Sequence, residues 1–164
     1  MKRTWAVSLA VLTALTLAGC GEADTADSED SDAVQAVATF SILTNIVEEI
    51  GGEHVEVYNL VPVGQDPHEY DSTPKDTKAL SDADVFFLNG LNLEGGEHGW
   101  AARMADSVGL DEAQVIETTD GVEPLYLAEG VADSVNPHAF LDPNVGILMA
   151  ENVAEGLAEI DPAN

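Results

Sequence analysis

The chain has 164 residues, of which 31 are Asp or Glu and only 5 are Lys or Arg, a formal net charge of −26. That balance excludes binding to a phosphate backbone, which needs a basic patch. With 45 % apolar residues, one cysteine and no internal repeat, the chain is long enough for one domain with a real core and can form no intramolecular disulfide.

Lys2 and Arg3 precede an uncharged apolar run from Trp5 to Leu17. The run is too short for a membrane-spanning helix of about 20 residues and suits a secretory signal that is removed. It ends at Leu17-Ala18-Gly19-Cys20, which resembles the lipobox of bacterial lipoproteins. The resemblance implies that residues 1–19 are a signal peptide and that Cys20 becomes a lipid-modified N-terminus, anchored to the membrane on its outer side. An ordinary signal peptide with an incidental cysteine is the alternative. Residues 20–35 read as an acidic disordered tether, since the stretch from Gly21 to Ala33 has only small and acidic residues and nothing to bury. Without residues 1–19, Lys75, Lys78 and Arg103 face 31 acids, a net charge of −28, and residues 34–164 still carry −22. The acids are scattered singly rather than set at the oxygen-ligand spacing of a calcium loop, so adaptation to high external salt is the favoured reading of the charge.

Residues 36–164 form the folded part. A strand is expected from Ala36 to Phe40 and a helix from Ile42 to Ile50, with Ile42, Ile46 and Ile50 four apart, Ser41 as N-cap and Gly51-Gly52 as its stop. The alternation from His54 to Val61 gives a second strand. An irregular loop, Pro62 to Thr73, leads to a short helix from Pro74 to Ser81. Asp84 to Asn89, with its VFFL core, reads as a buried strand. A Gly-rich loop from Gly90 to Gly96 then precedes a helix from Glu97 to Val108, and Gln114 to Glu117 is a short strand. In the last helix Asp142 is the N-cap, Pro143 the first residue, and Val145, Leu148, Met149, Val153, Leu157 and Ile160 an apolar stripe that stops at Asp161-Pro162. Alternating strands and helices imply an α/β fold with a doubly wound, mostly parallel sheet, in which ligands bind beyond the carboxyl ends of the strands.

Two loops share one local design: Gln65-Asp66-Pro67-His68-Glu69-Tyr70 and Val135-Asn136-Pro137-His138-Ala139-Phe140. In each, proline fixes its own φ and favours an extended residue before it, so the imidazole projects from a stiffened loop. Neutral imidazole suits several divalent transition metals. On spacing alone, His68 and His138 are either a shared metal site or two surface-loop histidines.

The segments LVPVGQDPHEY (Leu60 to Tyr70), TPKDTKALSDADVFFLNGLNLEGG (Thr73 to Gly96) and NPHAFLDPNVGILMAENVAEGLAEIDPAN (Asn136 to Asn164) resemble the metal-ion ABC-transporter solute-binding lipoproteins. The similarity runs from about Val37 to the end and is closest to the streptococcal-type manganese-binding surface lipoproteins. It implies two α/β lobes joined by a long helix, with metal in the cleft. His68 and His138 match the first two ligand positions, and two further ligands come from a second lobe. The chain is therefore expected to be the N-terminal α/β lobe of a two-lobe metal-binding receptor, acting as a monomer that hands a divalent ion to an ABC permease, with no catalysis. Manganese ranks first, then zinc, then iron. Asp120 to Val135 has no histidine, unlike the His-rich loop of many zinc-specific members, and Asn92-Leu93-Glu94-Gly95-Gly96 with Trp100 resembles the manganese branch. A metal-dependent hydrolase and a surface adhesin are the alternatives.

His54 and His98 lack the preceding proline and are expected to be exposed. Glu69 invites a general-base reading, yet no HExxH spacing accompanies it. Asp66 is either a hydrogen-bond partner of an imidazole or a turn-former. Tyr70, Trp100 and Phe140 are expected to pack the lobe.

Overall fold

The computed structural model describes residues 33–128 and 134–164; the signal sequence, Cys20 and most of the tether lie outside that range. Four strands, β1 (Val34–Ala38), β2 (Val55–Asn59), β3 (Val85–Leu88) and β4 (Val115–Glu117), alternate with four helices, α1 (Ser41–Gly51), α2 (Pro74–Ser81), α3 (Trp100–Val108) and α4 (Pro143–Ile160). The sheet order is β2-β1-β3-β4 and every pairing is parallel. This is the doubly wound α/β sheet expected from the alternation. Chain direction across the sheet reverses between β1 and β3, so the switch point lies at their carboxyl ends.

The strands are apolar on both faces because both faces are covered. On one side Ala36, Ala38, Val85 and Phe87 pack with Leu43 and Val47 of α1 and Met149 and Val153 of α4. On the other, Val37, Phe86 and Leu88 pack with Leu80 of α2 and with Trp100, Ala101 and Met104 of α3.

Helix ends follow local chemistry. Thr73 and Asp76 form a reciprocal capping box at the start of α2, and the Asp142 carboxylate accepts the Asn144 N–H at 2.8 Å at the start of α4. Two expectations are corrected. Phe40, not Ser41, is the extended residue before α1, and it supplies burial rather than a side-chain cap. The face of α1 on the sheet is Leu43 and Val47, with Ile46 partly buried beside them and Ile42 44 % and Ile50 37 % exposed. The helix expected from Glu97 is interrupted. A 3-10 turn, Gly96–His98, is followed by extended Gly99, and α3 starts at Trp100. At Gly99 a Cβ would lie 2.0 Å from the Glu94 carbonyl oxygen, so the chain crosses itself too closely there for a helix to run through.

Candidate metal site

Each Asx-Pro-His segment folds the same way. The Asp66 Oδ1 accepts the backbone N–H of His68 at 2.9 Å, and the Asn136 Oδ1 accepts that of His138 at 3.1 Å. The side chain two residues back thus closes a small turn around each proline. Asp66 is accordingly the turn-former of the two roles considered for it. Asn136 does more, lying 3.0 Å from His138 Nδ1 as well.

These turns bring together two histidines 70 residues apart, with Nε2 to Nε2 at 3.3 Å and ring centroids 5.3 Å apart at 67°. His68 is half-buried and His138 exposed. Asn136 Oδ1 receives the His138 backbone N–H and also lies within hydrogen-bond reach of His138 Nδ1, an arrangement in which the Nδ1 side of the ring faces the loop and the Nε2 side faces His68. Phe140 stands edge-on to His138 at 5.9 Å and packs against Phe40 at 5.2 Å, walling one side.

Behind the loops lies a shell of side chains that sequence reasoning did not assign to the site. Trp100 Nε1 donates to the Pro67 carbonyl at 2.8 Å, and Asn89 Nδ2 donates to the Pro137 carbonyl at 3.1 Å. Glu94 is buried at the switch point, where its carboxylate accepts the Thr39 hydroxyl at 2.6 Å, the Asn89 N–H at 2.8 Å and the Gly90 N–H at 3.3 Å. Burial pushes its carboxyl up and these donors only partly offset that. Tyr70 packs edge-on to Trp100 at 5.2 Å and donates its hydroxyl to buried Asp76 at 2.9 Å. The T-x-x-D spacing of Thr73 and Asp76 was a readable signal. Glu94 stood out only through the likeness of Asn92-Leu93-Glu94-Gly95-Gly96 to the manganese branch, which gave it no role of its own.

His54 and His98 are exposed, as expected, and Glu69 faces solvent. Among the described residues no group of three or more His, Cys, Asp or Glu is arranged to hold a metal ion, so the pair stands as a two-nitrogen arrangement open on its outer side.

Residues 36–164 match the family model of zinc-uptake complex component A (ZnuA), periplasmic. The metal ABC transporter substrate-binding lipoprotein SsaB of Streptococcus sanguinis is 39 % identical over 167 residues, covering 100 % of this chain and 53 % of its own length. The manganese-binding lipoprotein MntA of Halalkalibacterium halodurans is 38 % identical over 162 residues, 99 % of this chain and 51 % of its own. The Mn-bound periplasmic metal binding protein of Candidatus Liberibacter asiaticus superposes with a TM-score of 0.68 at 31 % identity, over 79 % of this chain and 46 % of that one. A zinc-bound ZnuA deletion mutant gives 0.70 at 31 % identity, over 80 % and 48 %. The chain spans about half the length of the curated relatives it matches.

Proposed function

The chain belongs to the ZnuA family of periplasmic metal-uptake components, and from that premise we propose that it captures a divalent transition-metal ion outside the cytoplasm through His68 and His138 and passes it to an ABC permease. The observation that carries this reading is the 3.3 Å separation of two Nε2 atoms. A metal ion at roughly 2.0–2.1 Å from each nitrogen, the usual zinc–imidazole length, sees the pair under roughly 104–111°. The longer bonds of a larger ion close that angle towards an octahedral right angle. Each Nε2 would offer its lone pair to the ion from a neutral ring whose proton sits at Nδ1.

The pair accommodates manganese or zinc, and the ranking of manganese first, then zinc, then iron is supported at its head by relatives named for manganese, against a family model named for zinc. Zinc binds such ligands at least as tightly by the Irving–Williams order, so selectivity rests on geometry. Two nitrogens leave the coordination sphere incomplete, and a second lobe, of about the length by which the relatives exceed this chain, supplies the remaining ligands. Cys20 carries the lipid that holds the receptor at the membrane, and the receptor acts as a monomer without catalysis.

Metal content of the protein purified from its complete reading frame tests this. His68→Ala and His138→Ala should each lose most of the bound Mn²⁺ or Zn²⁺, and unchanged content in both variants removes the site.

A further inference from the structure

The geometry points to Trp100 and Asn89 as the positioning residues of the histidine pair, an inference that rests on the metal-site reading above. The carbonyl oxygen of Pro67 and the N–H of His68 belong to one planar peptide unit, as do those of Pro137 and His138. Both units are held at both ends. At the N–H end the acceptors are Asp66 Oδ1 and Asn136 Oδ1, and at the carbonyl end the donors are Trp100 Nε1 at 2.8 Å and Asn89 Nδ2 at 3.1 Å. A peptide plane pinned at both edges cannot rock, so only the side-chain torsions of each histidine remain free. The same arrangement occurs twice, built from unrelated donors.

Both donors are themselves fixed. Trp100 is 8 % exposed and packs against Tyr70, whose hydroxyl is tied to Asp76. Asn89 is fully buried, and its other amide hydrogen goes to the Gly90 carbonyl at 2.7 Å. Its backbone N–H is held by Glu94. With two carbonyls facing its nitrogen the amide cannot be reversed, and its Oδ1 has no hydrogen-bond partner among the described residues. A buried unsatisfied acceptor destabilises the fold, and a leucine serving packing alone would avoid it. The amide is explained by what its nitrogen holds in place.

Groups that orient metal-ligating histidines typically account for about 10- to 100-fold in affinity. The test titrates the protein from its complete reading frame with Mn²⁺ and with Zn²⁺ separately. Trp100→Phe keeps the ring against Tyr70 and removes the donor; Asn89→Leu removes the amide. His68→Ala and His138→Ala run alongside, together with the melting temperature of each metal-free form. The expected result is about a 10- to 100-fold loss of affinity in each positioning variant, with a changed Mn²⁺-to-Zn²⁺ affinity ratio. Trp100→Phe should melt close to the parent, and it decides the matter if Asn89→Leu does not fold. Parental affinities and ratio, or a lowered melting temperature with the ratio unmoved, overturn the inference while the histidine variants still lose metal. Histidine variants that bind like the parent overturn the site reading, and this inference falls with it.

Discussion

Two buried carboxylates stand behind the histidine loops and respond to pH in opposite directions. Burial pushes Asp76 up, but the Thr73 N–H and hydroxyl and the Tyr58 and Tyr70 hydroxyls outweigh it and hold the carboxyl below its ordinary value. In return, burial together with the hydrogen bond and charge of Asp76 pushes both tyrosine hydroxyls up to about 12. The folded chain therefore binds the Asp76 proton more weakly than the unfolded chain does. The resulting stability is present above the ordinary carboxylate range and is lost as pH falls through the lowered folded-state value. Asp76→Asn should cost on the order of 2 kcal/mol near neutrality, with the deficit shrinking in acid. Glu94 has the reverse sign: its raised folded-state value makes its contribution full in acid and diminished as pH rises through that value. Glu94→Gln should therefore gain on the parent as pH rises. Melting curves from acid to slightly alkaline pH check both, and variant curves parallel to the parent would refute the two assignments. At this scale the sequence exposed His68 and His138 because Pro-His recurs, while the Thr73–Asp76 cap went unread although its spacing is local. The resemblance marked the segment of Glu94 and Trp100, but the ties of Asn89, Glu94 and Trp100 were not legible, since their partners lie in other elements or across a loop.

Legibility of an element depended on whether its limits are local. The last helix was read to the residue because Asp142 and Pro143 mark its start and Asp161-Pro162 its end. Strand β3 was read from its continuous apolar run. The start of α3 escaped because the loop from Glu94 to Gly99 folds back until a Cβ at Gly99 would stand 2.0 Å from the Glu94 carbonyl oxygen, a turn that no cap residue marks. The buried face of α1 is not fixed by its spacing alone, because two apolar rows, Ile42-Ile46-Ile50 and Leu43-Val47, run side by side and only the sheet chooses between them. Helix α4 owes its close seating to Gly156, where a Cβ would lie 3.2 Å from Ile116 Cγ1 and 3.3 Å from Phe87 Cε1. Alanine there needs its neighbours to yield by a few tenths of an ångström but gains about 1 kcal/mol of helix propensity, so Gly156→Ala should lie within about 1 kcal/mol of the parent. Gly156→Leu overpacks the same gap and should lose about 1–3 kcal/mol or more. Denaturant unfolding measures both, and a leucine variant as stable as the parent would show that α4 is not seated on β3 and β4 in this way.

For the whole molecule, the doubly wound class was legible from alternation, whereas the order β2-β1-β3-β4 was not, since placing β3 beside β1 is decided by how the crossovers pack. That placement is what lets loops 70 residues apart converge over one sheet edge. The charge follows a different logic. Residues 34–164 carry a net charge of −22, and the three cations all lie on α2 and α3. Lys78 pairs with Asp82, Lys75 lies 5.0 Å over the Tyr58 ring, and Arg103 bonds the His98 carbonyl. The Lys78–Asp82 contact is the one salt bridge among the described residues, it is exposed, and such pairs contribute only about 0–1 kcal/mol. Added salt therefore has little attraction to screen and much repulsion. Between 0.1 and 1 M the Debye length falls from about 10 to about 3 Å, shorter than most separations between surface carboxylates. The melting temperature should climb steeply across that range and respond alike to KCl and NaCl, because screening depends on ionic strength rather than on the ion. Divalent metal should add a separate increment that keeps growing with the logarithm of free metal above Kd and disappears in His68→Ala and His138→Ala. A flat response to salt would refute general screening, and one complete at millimolar concentrations would replace it with a specific ion site.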